Sequence, residues 1–301
     1  MSGVNLAGAV TLWAHRTPAV RAAILLGSRA RPAADPEVRP DASSDWDFQL
    51  VVARPALFRS PRWTDDLGCG RPQACVVRKA LWAGGLKVSV AWTEAEADFM
   101  ILPARPLRLL HWLSAAGCHR HEGWTRRSLQ RLIHHVRPSW RFLKDAGWVE
   151  PLYRRSAAEL PELRLEEAAV RQLVAEFWCS HRWVLRQLAR GELVAAQRAL
   201  HLELSEITLS LRHELSLRRG IPSFPFGRRL ERFCPPEDQD AVTVSAECSR
   251  PALQAAAAKS AAACRALAEA LLPPAPTFLS RHSGAEKPTK QHNEQPANSV
   301  M

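Results

Sequence analysis

The spacing of hydrophobic positions changes about one third of the way along this chain of 301 residues. Before residue 105, apolar residues form short runs or alternate with polar ones, which predicts strands because successive side chains of a strand point to opposite faces. From Leu107 onwards they recur every three or four residues, which predicts amphipathic helices. The order of the segments predicts one helix, a small mixed sheet and then helices only.

Composition adds boundaries to this division. We predict an α+β N-terminal domain over residues 1–105, a helical connection over 106–150 and an all-α helical-bundle domain over 151–272. Residues 273–301 are rich in Pro, Ser, Gln, Asn and Lys and contain few large apolar side chains. Such a segment cannot bury enough apolar surface to fold, so we expect a disordered tail.

Charge and cysteine usage exclude several classes of protein. No apolar run reaches the roughly 18 residues of a membrane span, so no membrane partner is expected. The seven cysteines form no Cys-x-x-Cys pair, which is typical of free thiols in a reducing compartment and favours a cytoplasmic location. The net charge of +11 is spread along the chain without a nucleic-acid-binding motif, so a nucleic-acid partner is the least favoured interpretation. The oligomeric state stays open.

Two carboxylates share one face of a predicted strand. The segment Asp45–Val52 alternates, so Asp45 and Asp47 point together to one side. The other side is apolar and faces a core through Trp46, Phe48, Leu50 and Val52. Adjacent carboxylates repel each other unless a cation lies between them, and Mg²⁺ is typically held by one or two carboxylates plus phosphate oxygens. We predict that Asp45 and Asp47 are catalytic metal ligands; the alternative is a polar strand face in solvent.

A glycine turn closes the preceding strand. Residues 23–26 are apolar and are followed by Gly27, Ser28 and Arg29. Glycine permits a positive φ or a close approach to the backbone, Ser28 adds an amide and a hydroxyl, and Arg29 adds a cation. These groups predict a binding site for the phosphates of a nucleotide. An ordinary strand-ending turn is the alternative.

The turn and the aspartate pair together resemble a known family. Gly-Ser followed by Asp-x-Asp on the next apolar strand resembles the nucleotidyltransferase superfamily that includes DNA polymerase β. The fuller pattern of Gly-Ser-Arg, a proline-containing connection and Asp-aromatic-Asp resembles its aminoglycoside 6-adenylyltransferase family, which inactivates streptomycin. Further similar segments are Arg62–Gly68, Arg137–Gly147 and Glu176–Trp178. The resemblance extends from about Leu12 to Leu271.

This resemblance implies a reaction and two further site residues. Residues 1–105 would form a nucleotidyltransferase domain that moves AMP from Mg²⁺-bound ATP to a hydroxyl of a small molecule, with an aminoglycoside as one candidate acceptor. Glu176, on a predicted helix of the C-terminal domain, would join the catalytic site. Arg186 stands where the family has a lysine and would bind the nucleotide. For both residues, a solvated position on the helix is the alternative.

One position departs from the family pattern. The family carries a third carboxylate on the strand that follows a hairpin, and in this chain Ser89 stands where that acid is expected. A serine neither holds a metal ion well nor accepts the proton of an attacking hydroxyl. The alternative function is therefore a catalytically weakened or inactive nucleotide-binding homologue. Glu94 is too far along the chain to replace the acid. The resemblance favours Glu176 as the substitute, because the helical domain of the family faces the nucleotide site.

Overall fold

The structure, a computed structural model, describes residues 5–31, 44–80, 84–136 and 139–273. The chain forms two compact units, Met1–Leu163 and Arg164–Met301. The first combines a sheet with helices and the second is built of helices, in the order that the hydrophobic pattern predicts. The boundary predicted at residue 150 falls inside a helix, and the units divide after Leu163 instead. The predicted tail lies outside the described residues from residue 274, as does most of the connection between Ala30 and Ser44.

The N-terminal unit has six strands and four helices within the described ranges. The strands are β1 (Val20–Leu26), β2 (Trp46–Val52), β3 (Ala74–Lys79), β4 (Leu86–Ala91), β5 (Glu96–Pro103) and β6 (Trp140–Lys144). The helices are α1 (Leu6–Arg16), α2 (Ala104–Ala115), α3 (Trp124–Val136) and α4 (Val149–Glu159). Two 3₁₀ segments, Pro55–Phe58 and Pro61–Leu67, follow β2.

All six strands belong to one mixed sheet in the order β3-β4-β5-β2-β1-β6. β2 and β5 run parallel, and the other neighbouring pairs are antiparallel. The prediction that residues 106–150 form only a helical connection is wrong, because β6 pairs with β1 as an edge strand. Trp140 and Phe142 alternate along β6 and both contact Tyr153 of α4, so burial of these rings favours the strand.

One face of the sheet packs against α1 and the 3₁₀ segments. Phe48, Leu50 and Val52 lie in this core and are almost completely buried, which confirms the predicted apolar face of β2. Val88 and Val90 of β4 point into the same core. The exact two-residue period of a strand therefore directs the intervening residues of β2 and β4 to the opposite face.

The opposite face is covered by α2, α3 and α4 over only part of its length. Val51 packs into this second core, and Gln49 is 2% exposed. Oη of Tyr153 donates a hydrogen bond of 2.5 Å to Oε1 of Gln49. Asp47 is half-buried and Asp45 is exposed. The side chains of β2 on this face thus pass from core to solvent, and the two aspartates lie where the core ends.

The C-terminal unit packs long helices around its own apolar core. Its helices are α5 (Glu167–Arg190), α6 (Leu193–Ala199), α7 (Ser205–Arg218), α8 (Leu230–Phe233), α9 (Pro236–Val242) and α10 (Arg250–Leu271). A π-helical turn, Leu200–Leu204, joins α6 to α7, and α10 packs against α5 and α7. Within the described residues, none of the helices has the length and apolar character needed to span a membrane.

Candidate active site

The glycine turn and the second aspartate are in direct contact. Leu26, the last residue of β1, pairs with Asp47 of β2, so the turn begins beside this carboxylate. Gly27 has a φ of 71°, and a Cβ atom at this position would lie 2.8 Å from Oδ2 of Asp47. The positive φ favours glycine, and the absence of a side chain lets the carboxylate of Asp47 lie against the backbone of the turn. The structure thus brings together two of the features that the sequence singled out.

Two further residues hold the turn in place. Ser28 begins a 3₁₀ turn, Ser28–Ala30, and the N–H of Ala30 donates to the carbonyl of Gly27 at 3.2 Å. Oγ of Ser139, just before β6, donates to the same carbonyl at 2.8 Å. Because β6 is the neighbour of β1, this bond ties the turn to the edge of the sheet. The backbone at residues 27 and 28 is therefore fixed from two sides.

Arg29 binds the start of the next strand. Its guanidinium donates to the carbonyl of Ser44 through Nε at 2.9 Å and Nη2 at 2.6 Å, and Nε also lies 3.3 Å from the carbonyl of Asp45. The guanidinium carbon is 4.2 Å from the centroid of the Trp46 ring. Arg29 thus links the glycine turn to the strand that carries the aspartates. Its predicted contact with phosphate stays a prediction.

A third carboxylate lies beside the predicted pair, and the sequence interpretation missed it. Asp98 of β5 is in register with Asp47 on the neighbouring parallel strand, which places the two Cα atoms about 5 Å apart. Ser89 lies on β4, one strand further from β2, and its partner across the pair is Asp98. Ser89 is therefore not the residue next to the aspartate pair; Asp98 is.

The signal for Asp98 was present in the sequence. Glu96–Pro103 alternates, with Ala97, Phe99 and Ile101 buried in the first core and Asp98 on the opposite face. β5, the strand that follows the β3–β4 hairpin, was not predicted from the sequence. Without it, the acid that follows the hairpin could not be placed next to β2.

Asp98 already has a cationic partner. Nζ of Lys87 lies 2.6 Å from Oδ2 of Asp98, and the two side chains are 42% and 31% exposed. A cavity of about 230 Å³ opens beside this pair, lined by Asp45, Glu96 and Asp98 and by small side chains of β3 and β4, among them Ala74, Ser89 and Ala91. The cavity is therefore acidic and adjoins the carboxylates of the candidate site.

The carboxylates suit a hard cation that also has oxygen ligands from a substrate. Among the described residues, no group of three or more His, Cys, Asp or Glu side chains could hold a metal ion by itself. Mg²⁺ does not need such a cage, since it commonly takes one or two carboxylates plus phosphate oxygens and water. Asp45 is exposed and Asp47 adjoins a turn whose backbone can be approached closely. The donor set fits Mg²⁺ bound together with a nucleotide.

The two residues predicted on the C-terminal unit are both exposed on α5. Nε2 of Gln172 donates to Oε1 of Glu176 at 2.8 Å, one helical turn away. Arg186 lies ten residues further along the same helix. Their surroundings in the second unit are those of solvated helix positions, and their predicted catalytic and nucleotide-binding roles stay predictions.

Comparison with solved structures finds several similar chains, two of which are described below. No protein-family model matches the chain, and no curated protein matches it either. The chain is similar to an aminoglycoside 6-adenyltransferase from Bacillus subtilis, with a TM-score of 0.36 and 12% identity over 87% of this chain and 88% of that one. It is also similar to a nucleotidyltransferase-like protein from Exiguobacterium sibiricum 255-15, with a TM-score of 0.36 and 9% identity over 85% of this chain and 72% of that one. The first carries the name of the family that the sequence motifs resemble.

Proposed function

We propose that this chain is a nucleotidyltransferase that moves AMP from Mg²⁺-bound ATP to a hydroxyl of a small molecule. The observation that carries the proposal is the contact between the glycine turn and the aspartate strand, where a Cβ at Gly27 would lie 2.8 Å from Asp47. The pairing of Leu26 with Asp47 places the proposed phosphate-binding turn directly beside a potential metal ligand. A site that holds a triphosphate and its metal ion together needs this proximity.

Each residue of the site has a role in this proposal. The backbone of Gly27 and the amide and hydroxyl of Ser28 bind the triphosphate. Asp45 and Asp47 hold Mg²⁺, which neutralises charge on the phosphates when it is bound. Asp98 accepts the proton of the acceptor hydroxyl, whose oxygen forms a bond to the α-phosphorus while the bond to the β-phosphate oxygen breaks. Pyrophosphate leaves, and catalysis rests mainly on positioning and charge stabilisation.

The acceptor would bind in the cavity beside the carboxylates. Its volume of about 230 Å³ accommodates part of a small molecule, and Asp45, Glu96 and Asp98 line it. Acidic walls favour a cationic acceptor, because each ammonium group can pair with a carboxylate. An aminoglycoside, which carries several amines and hydroxyls, is a candidate acceptor on this ground.

A second candidate function is nucleotide binding without efficient transfer. The ion pair between Lys87 and Asp98 favours it, because the ammonium 2.6 Å from Oδ2 of Asp98 occupies a carboxylate oxygen that would otherwise contact the acceptor hydroxyl or a metal ion. In this case the protein would bind Mg²⁺ and ATP through Asp45 and Asp47 but turn over slowly. The two candidates share the nucleotide site and differ in the state of Asp98.

Nucleotide binding tests the site, and labelled transfer tests the reaction. Calorimetry with Mg²⁺ and ATP should give binding to the wild-type protein and none measurable to Asp45→Asn/Asp47→Asn. The matched control is Asp66→Asn, an exposed acid of the same unit, which should bind like the wild type. Equal affinity in all three proteins would show that the site is placed wrongly.

Transfer from α-labelled ATP should then be measured against a panel of aminoglycosides and against RNA. Label on an aminoglycoside, lost in the double variant, supports the proposed enzyme. Nucleotide binding without any labelled product supports the second candidate. Label on RNA alone would contradict the small-molecule acceptor.

A further inference from the structure

A group of cationic side chains, separate from the carboxylates of the candidate active site, lies in the N-terminal unit between α2 and α4. Arg108 and His111 are one turn apart on α2, and both contact the indole of Trp148, which precedes α4. The guanidinium carbon of Arg108 is 5.9 Å from the centroid of the indole, and the imidazole centroid of His111 is also 5.9 Å from it. Arg155 of α4 is close enough for its charge to act on His111. Two helices thus bring three nitrogen-bearing side chains to one place.

Two of these side chains have buried polar atoms without partners. Nδ1 of His111 and Nη1 of Arg155 are shielded from solvent, and neither makes a hydrogen bond within the part of the chain that the structure describes. Buried donors are almost always satisfied in folded proteins, and a guanidinium is the costliest to leave unpaired. Two such atoms from neighbouring helices indicate that a group with acceptor oxygens belongs between them.

The cluster of Arg108, His111 and Arg155 carries the positive charge that binding of an anionic group requires. The acid that acts on His111 is Asp145, and its two oxygens already accept the N–H groups of Gly147 at 2.9 Å and Val149 at 3.1 Å. Burial lowers the pKa of His111, and the charges of Arg155 and Arg108 lower it further, so the imidazole is neutral at pH 7 and keeps one N–H to donate. The two guanidiniums leave a net positive charge.

This cluster is separate from the turn at Gly27. β6 runs antiparallel to β1, from Trp140 opposite Leu26 to Lys144 opposite Ala23. Asp145 and the start of α4 therefore follow β6 at the end of the sheet away from the glycine turn. At about 3.3 Å per residue, the four residues between these ends span roughly 10 Å or more.

We propose that Arg155, His111 and Arg108 bind a phosphate group at a site distinct from the proposed triphosphate turn. Guanidiniums present paired N–H donors that match the oxygens of phosphate, and two of them balance a dianion. A phosphate dianion has oxygens to accept from both helices at once and carries twice the charge of a single carboxylate. The ligand is either free phosphate or a phosphate ester of a small molecule, and the proposal does not depend on the transfer reaction.

The site is tested by titration with inorganic phosphate and, separately, with glycerol 3-phosphate. Sodium chloride at equal ionic strength is the control for each titration. Comparison of the two ligands distinguishes free phosphate from a phosphate ester as the natural ligand. The readout is the ring ¹⁵N spectrum of the histidines, in which His111 is assigned from His111→Gln. We expect the His111 signals to shift on saturation in the wild type. Arg155→Gln should bind at least tenfold more weakly, and Arg108→Gln, at an exposed position that does not threaten folding, at least threefold.

The matched control is Arg154→Gln, next to Arg155 on α4 but exposed and paired with Glu150. It should bind phosphate like the wild type, and so should Asp45→Asn/Asp47→Asn. An equal loss of phosphate affinity in Arg154→Gln and Arg155→Gln would show that phosphate responds only to the overall positive charge of the surface, and it would overturn the proposal. So would an unshifted His111, or unchanged affinity in Arg155→Gln and Arg108→Gln.

Discussion

The two units use their ionisable side chains in opposite ways. In the C-terminal unit, Arg212 and Glu214 of α7 are 4% and 2% exposed, and each has a close protein partner. Nη2 of Arg212 lies 2.6 Å from Asp238, and Glu214 accepts from the N–H of Leu165 at 3.0 Å and from Nε of Arg218 at 2.9 Å. Each of these charges is paired within the unit, although Nε of Arg212 makes no hydrogen bond within the described residues, and the pair of Arg212 with Asp238 connects α7 to α9.

In the N-terminal unit, the carboxylates gather instead at one end of the central strands β2 and β5, where the core gives way to solvent. Asp45 is exposed, Asp47 adjoins the glycine turn, and Asp98 is paired with Lys87 from the neighbouring strand. Acids so close together repel each other and contribute little to folding. The comparison indicates that the buried charges of the second unit serve stability, and it is consistent with the binding and catalytic roles proposed for the carboxylates of the first unit.

The largest effect should come from Asp98→Asn. Because this residue would accept the proton of the acceptor, transfer from labelled ATP should fall by about 10²–10⁴-fold. The melting temperature should change little, because the variant loses only a partly exposed ion pair, which contributes at most about 1 kcal/mol. Transfer assays and thermal unfolding on the same preparations measure both effects.

Lys87→Met is the control for that variant. It breaks the same ion pair but keeps the carboxylate, so transfer should be retained or increased if the acid itself matters. If Lys87→Met and Asp98→Asn lose activity equally, the ion pair and not the base is what the site needs. If Asp98→Asn keeps full activity, the proposed role of Asp98 is wrong.

A smaller effect, on stability alone, is expected from Asp238→Asn. The variant leaves the buried guanidinium of Arg212 without its carboxylate, which should lower the free energy of unfolding by about 2–3 kcal/mol. This loss in the free energy of unfolding is smaller than the loss expected from breaking a fully buried ion pair, because 42% of the Asp238 side chain is exposed. Urea unfolding followed by circular dichroism measures the change, and nucleotide affinity should stay at the wild-type value.

Asp240→Asn is the matched control on the same helix. Its partner is Lys259 at 2.6 Å, and the carboxylate is 77% exposed, so the loss should be below about 1 kcal/mol. Equal destabilisation by both variants would remove the distinction between buried and exposed acids in this unit. A loss of nucleotide affinity in Asp238→Asn alone would assign its carboxylate a role beyond stability.

Local patterns in the sequence predicted the features that depend only on residues close together in the chain, such as the two faces of a strand and the position of a turn. Alternation along β2 placed Phe48 and Leu50 in a core and put Asp47 on the other face, because a strand has a period of exactly two. Gly27 was recognisable because a turn after a buried strand favours a residue that tolerates positive φ. Neither inference required knowledge of which strands are neighbours.

The sequence did not reveal which strands lie next to each other in the sheet. Asp98 lies beside Asp47 only because β5 pairs with β2 in parallel, and nothing in either segment specifies that pairing. β6 was missed for the same reason, since five residues between helices form a strand only when an edge is available to pair with. Hydrophobic periodicity fixes which face a residue takes, whereas the partner of each strand depends on the whole fold.

The smallest effect should come from Arg29→Lys, which separates two uses of one charge. Lysine keeps the cation but cannot reproduce the donation by Nε and Nη2 of Arg29 to the carbonyl of Ser44. If Arg29 positions the aspartate strand, the affinity for Mg²⁺-bound ATP should fall about tenfold, which is about 1.4 kcal/mol. If it instead contacts the phosphates and stabilises charge in the transition state, lysine should substitute in part, and kcat should fall while affinity is kept. Arg54→Lys, at an exposed position that follows β2, should change neither quantity. Calorimetry and single-turnover transfer on the three proteins decide between a structural charge at the edge of the site and a catalytic one.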